Sequence, residues 1–212
     1  MLCAAVLVVS SAAGCSTVRK YLPRNPFGPG TAKHVRHIAV LPFAYRASDG
    51  VHPCDMCPDK LVMDVTSPEE ALLITSFFYE ALLGHPRIQI IPFETVQAAA
   101  GATMGETVER LSQTEKVDAV VVGALLELRE RLGDPRSPSQ RGGASVYAAL
   151  VNLPSGHAAW KRLYDQSPGR PNTAIRQYER IVLGEESKTK TAEEVAHEGV
   201  ARMVKSLVSS ID

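Results

Sequence analysis

The chain has 212 residues, 45% of them hydrophobic, and its 23 basic and 23 acidic side chains cancel. That length suits one domain with an appended segment, and the apolar content is enough for an ordinary core. A neutral chain has no global basic field, which excludes nucleic-acid binding driven by net charge.

The first element is an apolar leader. Leu2–Val9 is almost wholly apolar, and small residues from Ser10 to Gly14 lead into Cys15. The run is shorter than the ~18–20 residues that span a bilayer, and its small-residue end reads as a secretory cleavage zone. The sequence Ala12-Ala13-Gly14-Cys15 resembles the lipobox of bacterial lipoproteins. Ala12 stands where that family more often has Leu, and no Lys or Arg precedes the apolar run. The resemblance implies a signal peptide over residues 1–14 and acylation of Cys15, with palmitate as the label. Ser16 stands where an Asp often marks inner-membrane retention in that family, so the resemblance implies the outer membrane, facing the periplasm. Residues 15–34 hold three prolines and two glycines with little periodicity, and read as a tether. Tyr21, Leu22 and Phe27 within it offer side chains that can pack on the body.

Residues 35–212 read as a single α/β domain. His37–Phe43, closed by Pro42, is a short buried strand. Residues 44–66 are a long connection with Asp49-Gly50 and the run His52-Pro-Cys54-Asp-Met-Cys57-Pro58. Ser67, Pro68 and Glu70 form an N-terminal capping signal. The helix they open carries Ala71, Leu72, Phe77, Phe78, Leu82 and Leu83 and stops at Gly84. Residues 87–92 are a second strand and residues 93–100 a short helix. Thr103 and Glu106 form a second capping box, opening a helix to about Lys116. The near-continuous apolar run 118–128 predicts a central strand covered on both faces, with Val121 buried. The polar segment 129–143 turns the chain. Residues 144–153 and 157–164 are two antiparallel strands joined by Pro154-Ser155-Gly156. Residues 165–188 give no clear pattern. Thr191 and Glu194 open a last helix with an apolar stripe of Val195, Val200, Met203, Val204, Leu207 and Val208.

The resulting order is β-α-β-α-β-β-β-α, a mixed sheet with helices packed on it. With Ile38-Ala39-Val40-Leu41-Pro42-Phe43, the helix ending Phe77-Phe78-Tyr79-Glu80-Ala81-Leu82-Leu83, Val117–Gly123, and Gly156 with Trp160, it resembles a periplasmic lipoprotein fold. That fold is shared by the curli-secretion lipoprotein, the activators of penicillin-binding proteins, and the amino-terminal domain of the Tol-Pal β-propeller protein. The resemblance covers roughly residues 35–210. The insertion 44–66 with its C-x-x-C departs from it. The resemblance implies a non-enzymatic, membrane-attached protein that binds other envelope proteins in assembly, secretion or cell-wall synthesis, with no cofactor. One alternative is a subunit of an outer-membrane secretion pore, for which the 129–143 segment is too polar.

Four cysteines are present; the lipobox resemblance implies that Cys3 leaves with the leader and that Cys15 is lipidated. Cys54 and Cys57 remain as an even pair in an oxidising compartment, which predicts a disulfide stapling a loop outside the core. Metal binding by His52, Cys54 and Cys57 is an alternative, with His34, His37 or His85 as a fourth ligand. Redox chemistry is another, though the pair lies in a loop rather than at the start of a helix. Haem attachment is excluded because Pro58 occupies the His position of C-x-x-C-H.

Other candidates have plainer explanations. Gly101–Thr107 echoes a phosphate loop but lacks its Lys and spacing. Ser155 beside His157 lacks a nucleophile elbow. Glu69 and Glu70 suit a helix N-terminus. Arg129, Arg131, Arg136 and Arg141 form either a solvated loop or a contact to a partner or lipid phosphates. Trp160 and Tyr164 share one side of a strand and pack in the core, or else form an aromatic docking surface.

Overall fold

The computed structural model describes residues 35–52, 54–58, 61–134, 137–153, 155–166, 180–181 and 190–211. The predicted leader, Cys15 and the tether lie outside these residues. The central sheet has six strands in the order β10-β9-β8-β5-β1-β4. They are β1 (His37–Val40), β4 (Gln89–Ile90), β5 (Ala119–Arg129), β8 (Gly143–Asn152), β9 (His157–Asp165) and β10 (Arg180–Ile181). β1 is parallel to both β4 and β5, whereas β5, β8 and β9 form an antiparallel meander. β10 adds in parallel beyond β9, in the stretch that gave no sequence pattern. The sheet is mixed and covered by helices, as the sequence order predicts.

Strand periodicity explains why both faces are covered. In β1, Ile38 and Val40 point to one core while Ala39 and the following Leu41 point to the other. In β5, Val121 and Leu125 alternate with Val120, Val122, Ala124 and Leu126 in the same way, and all are buried. Such a strand must be apolar throughout. The first face packs against α1 (Pro68–Leu82) and α4 (Ala192–Ile211) through Ile74, Phe78, Val200, Met203 and Leu207. The second packs against α2 (Phe93–Ala98) and α3 (Met104–Thr114) through Val96, Val108 and Leu111. Trp160 and Tyr164 belong to the first core, so they are not a docking surface. The Trp160 indole donates to Ser206 (3.2 Å) and the Tyr164 hydroxyl to the Val195 carbonyl (3.0 Å), pinning β9 to α4.

The helix starts follow their capping residues. At α1 the Ser67 hydroxyl and the Glu70 carboxylate exchange bonds with each other's backbone N–H groups. Thr191 and Glu194 do the same at α4. At α3 only half of the predicted box forms. Thr103 accepts from the Glu106 N–H, but the Glu106 carboxylate reaches back to the Ala102 N–H instead.

The 44–66 connection differs from the expectation of a loop. It contains a hairpin of β2 (Tyr45–Ala47) and β3 (Gly50–His52), turned at Ser48-Asp49. Asp-Gly is a hairpin signal, and here Gly50 opens the return strand. Bridges from Ala44 to Ala124 and from Arg46 to Val65 hold the segment along the sheet. The polar turn after β5 is a second hairpin, β6 (Leu132–Asp134) with β7 (Ser137–Gln140).

Candidate functional site

The C-x-x-C segment is docked on the protein body. Cys54 and Cys57 are joined by a disulfide with Cα atoms 5.1 Å apart, and the Cys57 N–H donates to the Cys54 carbonyl (3.1 Å). Between them, the Asp55 carboxylate accepts from the Gly105 N–H in the first turn of α3 (3.2 Å). A carboxylate there complements the positive end of the helix. Met56 and Cys57 are buried in the second core, which corrects the expectation that the pair lies outside it. The alternation of polar Asp55 and apolar Met56 was the available signal; its target fifty residues away was not readable locally.

With their sulfurs bonded to each other, the two cysteines offer no thiolate. The two residues between them are a carboxylate, Asp55, and an apolar Met56, not the Lys, Arg or protonated His that stabilises thiolates. Among the described residues no group of three or more His, Cys, Asp or Glu side chains is arranged to hold a metal. His37 hydrogen-bonds to Asp118 at the start of β1, the end of the sheet away from the α3 N-terminus. His34 and the His52 side chain lie outside the described residues.

The end of the body that holds Val35 is built around Asp118. One oxygen, Oδ2, accepts from the Arg36 N–H (3.0 Å) and the His37 N–H (2.9 Å), and lies 3.0 Å from His37 Nδ1. Burial pushes the Asp118 carboxyl up, but the His37 backbone and ring and the Arg36 N–H outweigh it and hold it below its ordinary value. A groove of about 590 Å³ opens beside it, lined by Val35, Arg36, His37, Arg87 and Ile211 among others. Along the C-terminal half of α4 lies a second groove of about 500 Å³, lined by Arg162, Arg202, Lys205, Ser206, Ser209 and Ser210. Arg162 donates to the Lys161 carbonyl (2.8 Å) and stands 6.0 Å from the Trp160 ring centroid. Arg202 pairs with Glu198 (2.9 Å), which Lys190 also contacts; Lys190 first and then Arg202 hold the Glu198 carboxyl below its ordinary range. Composition could not reveal these grooves, because their cations come from four separate segments of a neutral chain.

The opposite end carries a different chemistry. The chain leaves β1 through α1 to β4 on one side, then through α2 and α3 to β5 on the other. The carboxyl end of β1 is therefore a topological switch point, a favoured place for a crevice in open sheets. A small cleft of about 220 Å³ lies there, lined by Pro42, Ala44, Tyr45, Ala100, Thr103 and Met104 among others. The amides of Gly101, Ala102, Gly105, Glu106 and Thr107 all donate within the protein. This explains the phosphate-loop echo as helix capping. Arg129 pairs with Glu127 (3.0 Å) and Asp64 (3.4 Å), and Arg141 is exposed; Arg136 lies outside the described residues. Val62, Val65 and Leu132 present apolar side chains at this end, 58%, 61% and 55% exposed. Back at the Asp118 end, in the turn between β8 and β9, the Ser155 oxygen accepts from the His157 backbone (3.3 Å), which is turn chemistry.

No known protein family matches the sequence, and no curated protein sequence matches it. Solved structures give distant likenesses. The PelC dodecamer from Paraburkholderia phytofirmans is 16% identical with a TM-score of 0.43, covering 84% of this chain and 92% of that one. The hypothetical protein CT253 from Chlamydia trachomatis is 16% identical with a TM-score of 0.42, covering 82% and 95%. Lipoprotein GNA1162 from Neisseria meningitidis is 18% identical with a TM-score of 0.39, covering 60% and 79%. At these values no function transfers, and the functional reading rests on this chain's own residues.

Proposed function

We propose that this is a non-enzymatic envelope lipoprotein, anchored in the outer membrane through acylated Cys15, that acts by binding other envelope proteins. The observation that carries the reading is the apolar run ending in Ala12-Ala13-Gly14-Cys15, separated by residues 16–34 from an α/β body that begins at Val35. Its part in assembly, secretion or cell-wall synthesis follows from the choice of partner. The surface for that partner is the end away from the tether, where Val62, Val65 and Leu132 are exposed beside the Arg129–Asp64 pair. Apolar side chains rimmed by charge are the usual composition of such contacts.

The pore reading is disfavoured by the β6–β7 hairpin, whose strands have three and four residues. A membrane-spanning strand needs about 9–11. The test is a photo-crosslinking residue at Leu132 in intact cells. A discrete adduct at Leu132, and none from the same probe at Leu72 on the outer face of α1, supports the reading. Identical patterns from both positions, or no adduct at Leu132, contradict it.

A further inference from the structure

The disulfide closes a tight turn that the backbone also closes, through the Cys57 N–H and the Cys54 carbonyl (3.1 Å). With the turn closed, the exposed Asp55 reaches the Gly105 N–H (3.2 Å), while Met56 and Cys57, 2% and 7% exposed, pack in the second core. Gly105 is the second residue of α3, so no carbonyl of the helix can serve its N–H. The next two amides are satisfied locally, Glu106 by the Thr103 hydroxyl and Thr107 by the Thr103 carbonyl. Gly105 instead takes its acceptor from Asp55, fifty residues away.

The chain on either side of the turn is held without the cysteines. Before it, β3 is paired with β2. After it, the Asp64 N–H donates to the Leu126 carbonyl (2.7 Å) and the Thr66 N–H to the Arg46 carbonyl (2.8 Å). Opening the turn therefore frees its middle and leaves its flanks in place. The bond stabilises the fold by as much as the fold stabilises the bond, because the two equilibria are linked. A loop this small contributes little to the fold, so the fold protects the bond little against reduction. Cys54 is half-buried and Cys57 buried, which makes Cys54 the sulfur open to attack.

We infer that Cys54–Cys57 is a redox-operated latch, opened by a dithiol reductant of the thioredoxin-like class, that holds residues 54–57 onto the first turn of α3. A thiolate of the reductant attacks Cys54 Sγ. The S–S bond breaks, a mixed disulfide forms, and Cys57 leaves as a thiolate and takes a proton from water. The second thiol of the reductant gives up its proton, attacks the mixed disulfide and releases Cys54, which is protonated in turn. Two electrons and two protons pass to this chain, and the reductant ends as a disulfide. The carboxylate of Asp55 disfavours both thiolates, so the reduced pair is a product and not a catalyst. In the reduced chain Asp55 and Met56 lose their seats beside the switch-point cleft, whose lining includes Thr103, Met104 and Thr107. The latch is independent of the partner-binding reading.

The test uses the full chain carrying Cys3→Ser/Cys15→Ser, which leaves the pair as its only cysteines, with dithiothreitol as the dithiol. Local opening does not depend on denaturant, whereas opening by global unfolding speeds up about tenfold or more per molar urea. The rate of reduction is expected to stay within about twofold between zero and about 1 M urea, well below the unfolding transition. Reduction should speed amide exchange at Gly105 by about tenfold or more, again without urea dependence. Asp55→Ala should reproduce that gain at Gly105 in the oxidised chain. A thioredoxin whose second cysteine is replaced by serine should be trapped on Cys54.

Reduction that accelerates with urea as unfolding does, or a reduced chain that loses its tertiary structure, makes the bond a staple of the whole body and overturns the inference. So does exchange at Gly105 that ignores reduction. Trapping on Cys57 alone overturns the order of attack.

Discussion

Asp118 shows how much one oxygen can organise. It ties the first turn of the body, through two backbone N–H groups and a ring nitrogen, to the start of the central strand. Its folded-state carboxyl lies below the ordinary value, with burial opposing the His37 and Arg36 hydrogen bonds that lower it. A depressed carboxyl contributes stability that is fully present above its unfolded value of about 3.9 and is lost as pH falls through the lower folded value. Asp118→Asn should therefore lower the melting temperature at neutral pH, and the gap to the parent should narrow below about pH 4. A gap that is constant from neutral to acid pH would show that the charge of Asp118 does not matter.

The cysteine pair also belongs to the residue scale. Cys57 is buried with Met56, and Asp55 is engaged by α3, so loss of the disulfide frees a segment that three contacts hold. Cys54→Ser/Cys57→Ser should cost about 2 kcal/mol, because the closed loop is small. Met56→Ala should cost as much or more, about 2–5 kcal/mol, because it leaves a core cavity. Denaturant midpoints measure both. Alkylation before and after reduction reads the bond directly, and complete alkylation without reductant would contradict it.

Elements meet where side chains are absent as well as where they are present. A Cβ added at Gly199 in α4 would lie 2.4 Å from the Tyr164 ring. Tyr164 cannot yield easily, since its hydroxyl is held by the Val195 carbonyl. Burial, and then nearby Glu198, push that hydroxyl's ionisation well above its ordinary value, so it stays a donor. In an exposed helix Gly→Ala is stabilising by about 1 kcal/mol. Here the overlap should win, and Gly199→Ala should destabilise by about 1–3 kcal/mol. A melting temperature above the parent's would show that α4 is not seated on β9 in this way. In the sheet, Val121 is fully buried in the central strand. Val121→Asp should cost at least about 3 kcal/mol, since a carboxylate there has no partner. A near-parental melting temperature for Val121→Asp would contradict the burial of β5.

The long elements were legible in the sequence for local reasons. Ser67-Pro68-Glu69-Glu70 and Thr191–Glu194 mark helix starts through contacts three residues apart. The apolar run at 119–126 marks a strand covered twice. The polar 129–143 segment reads as a turn-back and is the β6–β7 hairpin, whereas the β2–β3 hairpin is hidden because strands of three residues carry too little period to register. The docking of Asp55 on Gly105 and the gathering of Arg36, Arg87, Arg162, Arg202 and Lys205 depend on contacts between distant segments. No local pattern encodes them.

At the scale of the whole molecule the chain has two unlike ends. One holds Val35 and the Asp118 cluster at the start of β1; the other holds the switch-point cleft, the disulfide segment and the exposed Val62, Val65 and Leu132. The account stands on the acylation of Cys15. Multiple acyl chains anchor stably at about 0.8 kcal/mol per buried CH₂, whereas one chain is marginal. Palmitate labelling of the parental chain and of Cys15→Ala, with fractionation of each, tests this most directly. The account predicts a labelled parental chain in the outer-membrane fraction and an unlabelled Cys15→Ala chain that is uncleaved or soluble. Equal labelling and unchanged fractionation of the two would contradict it.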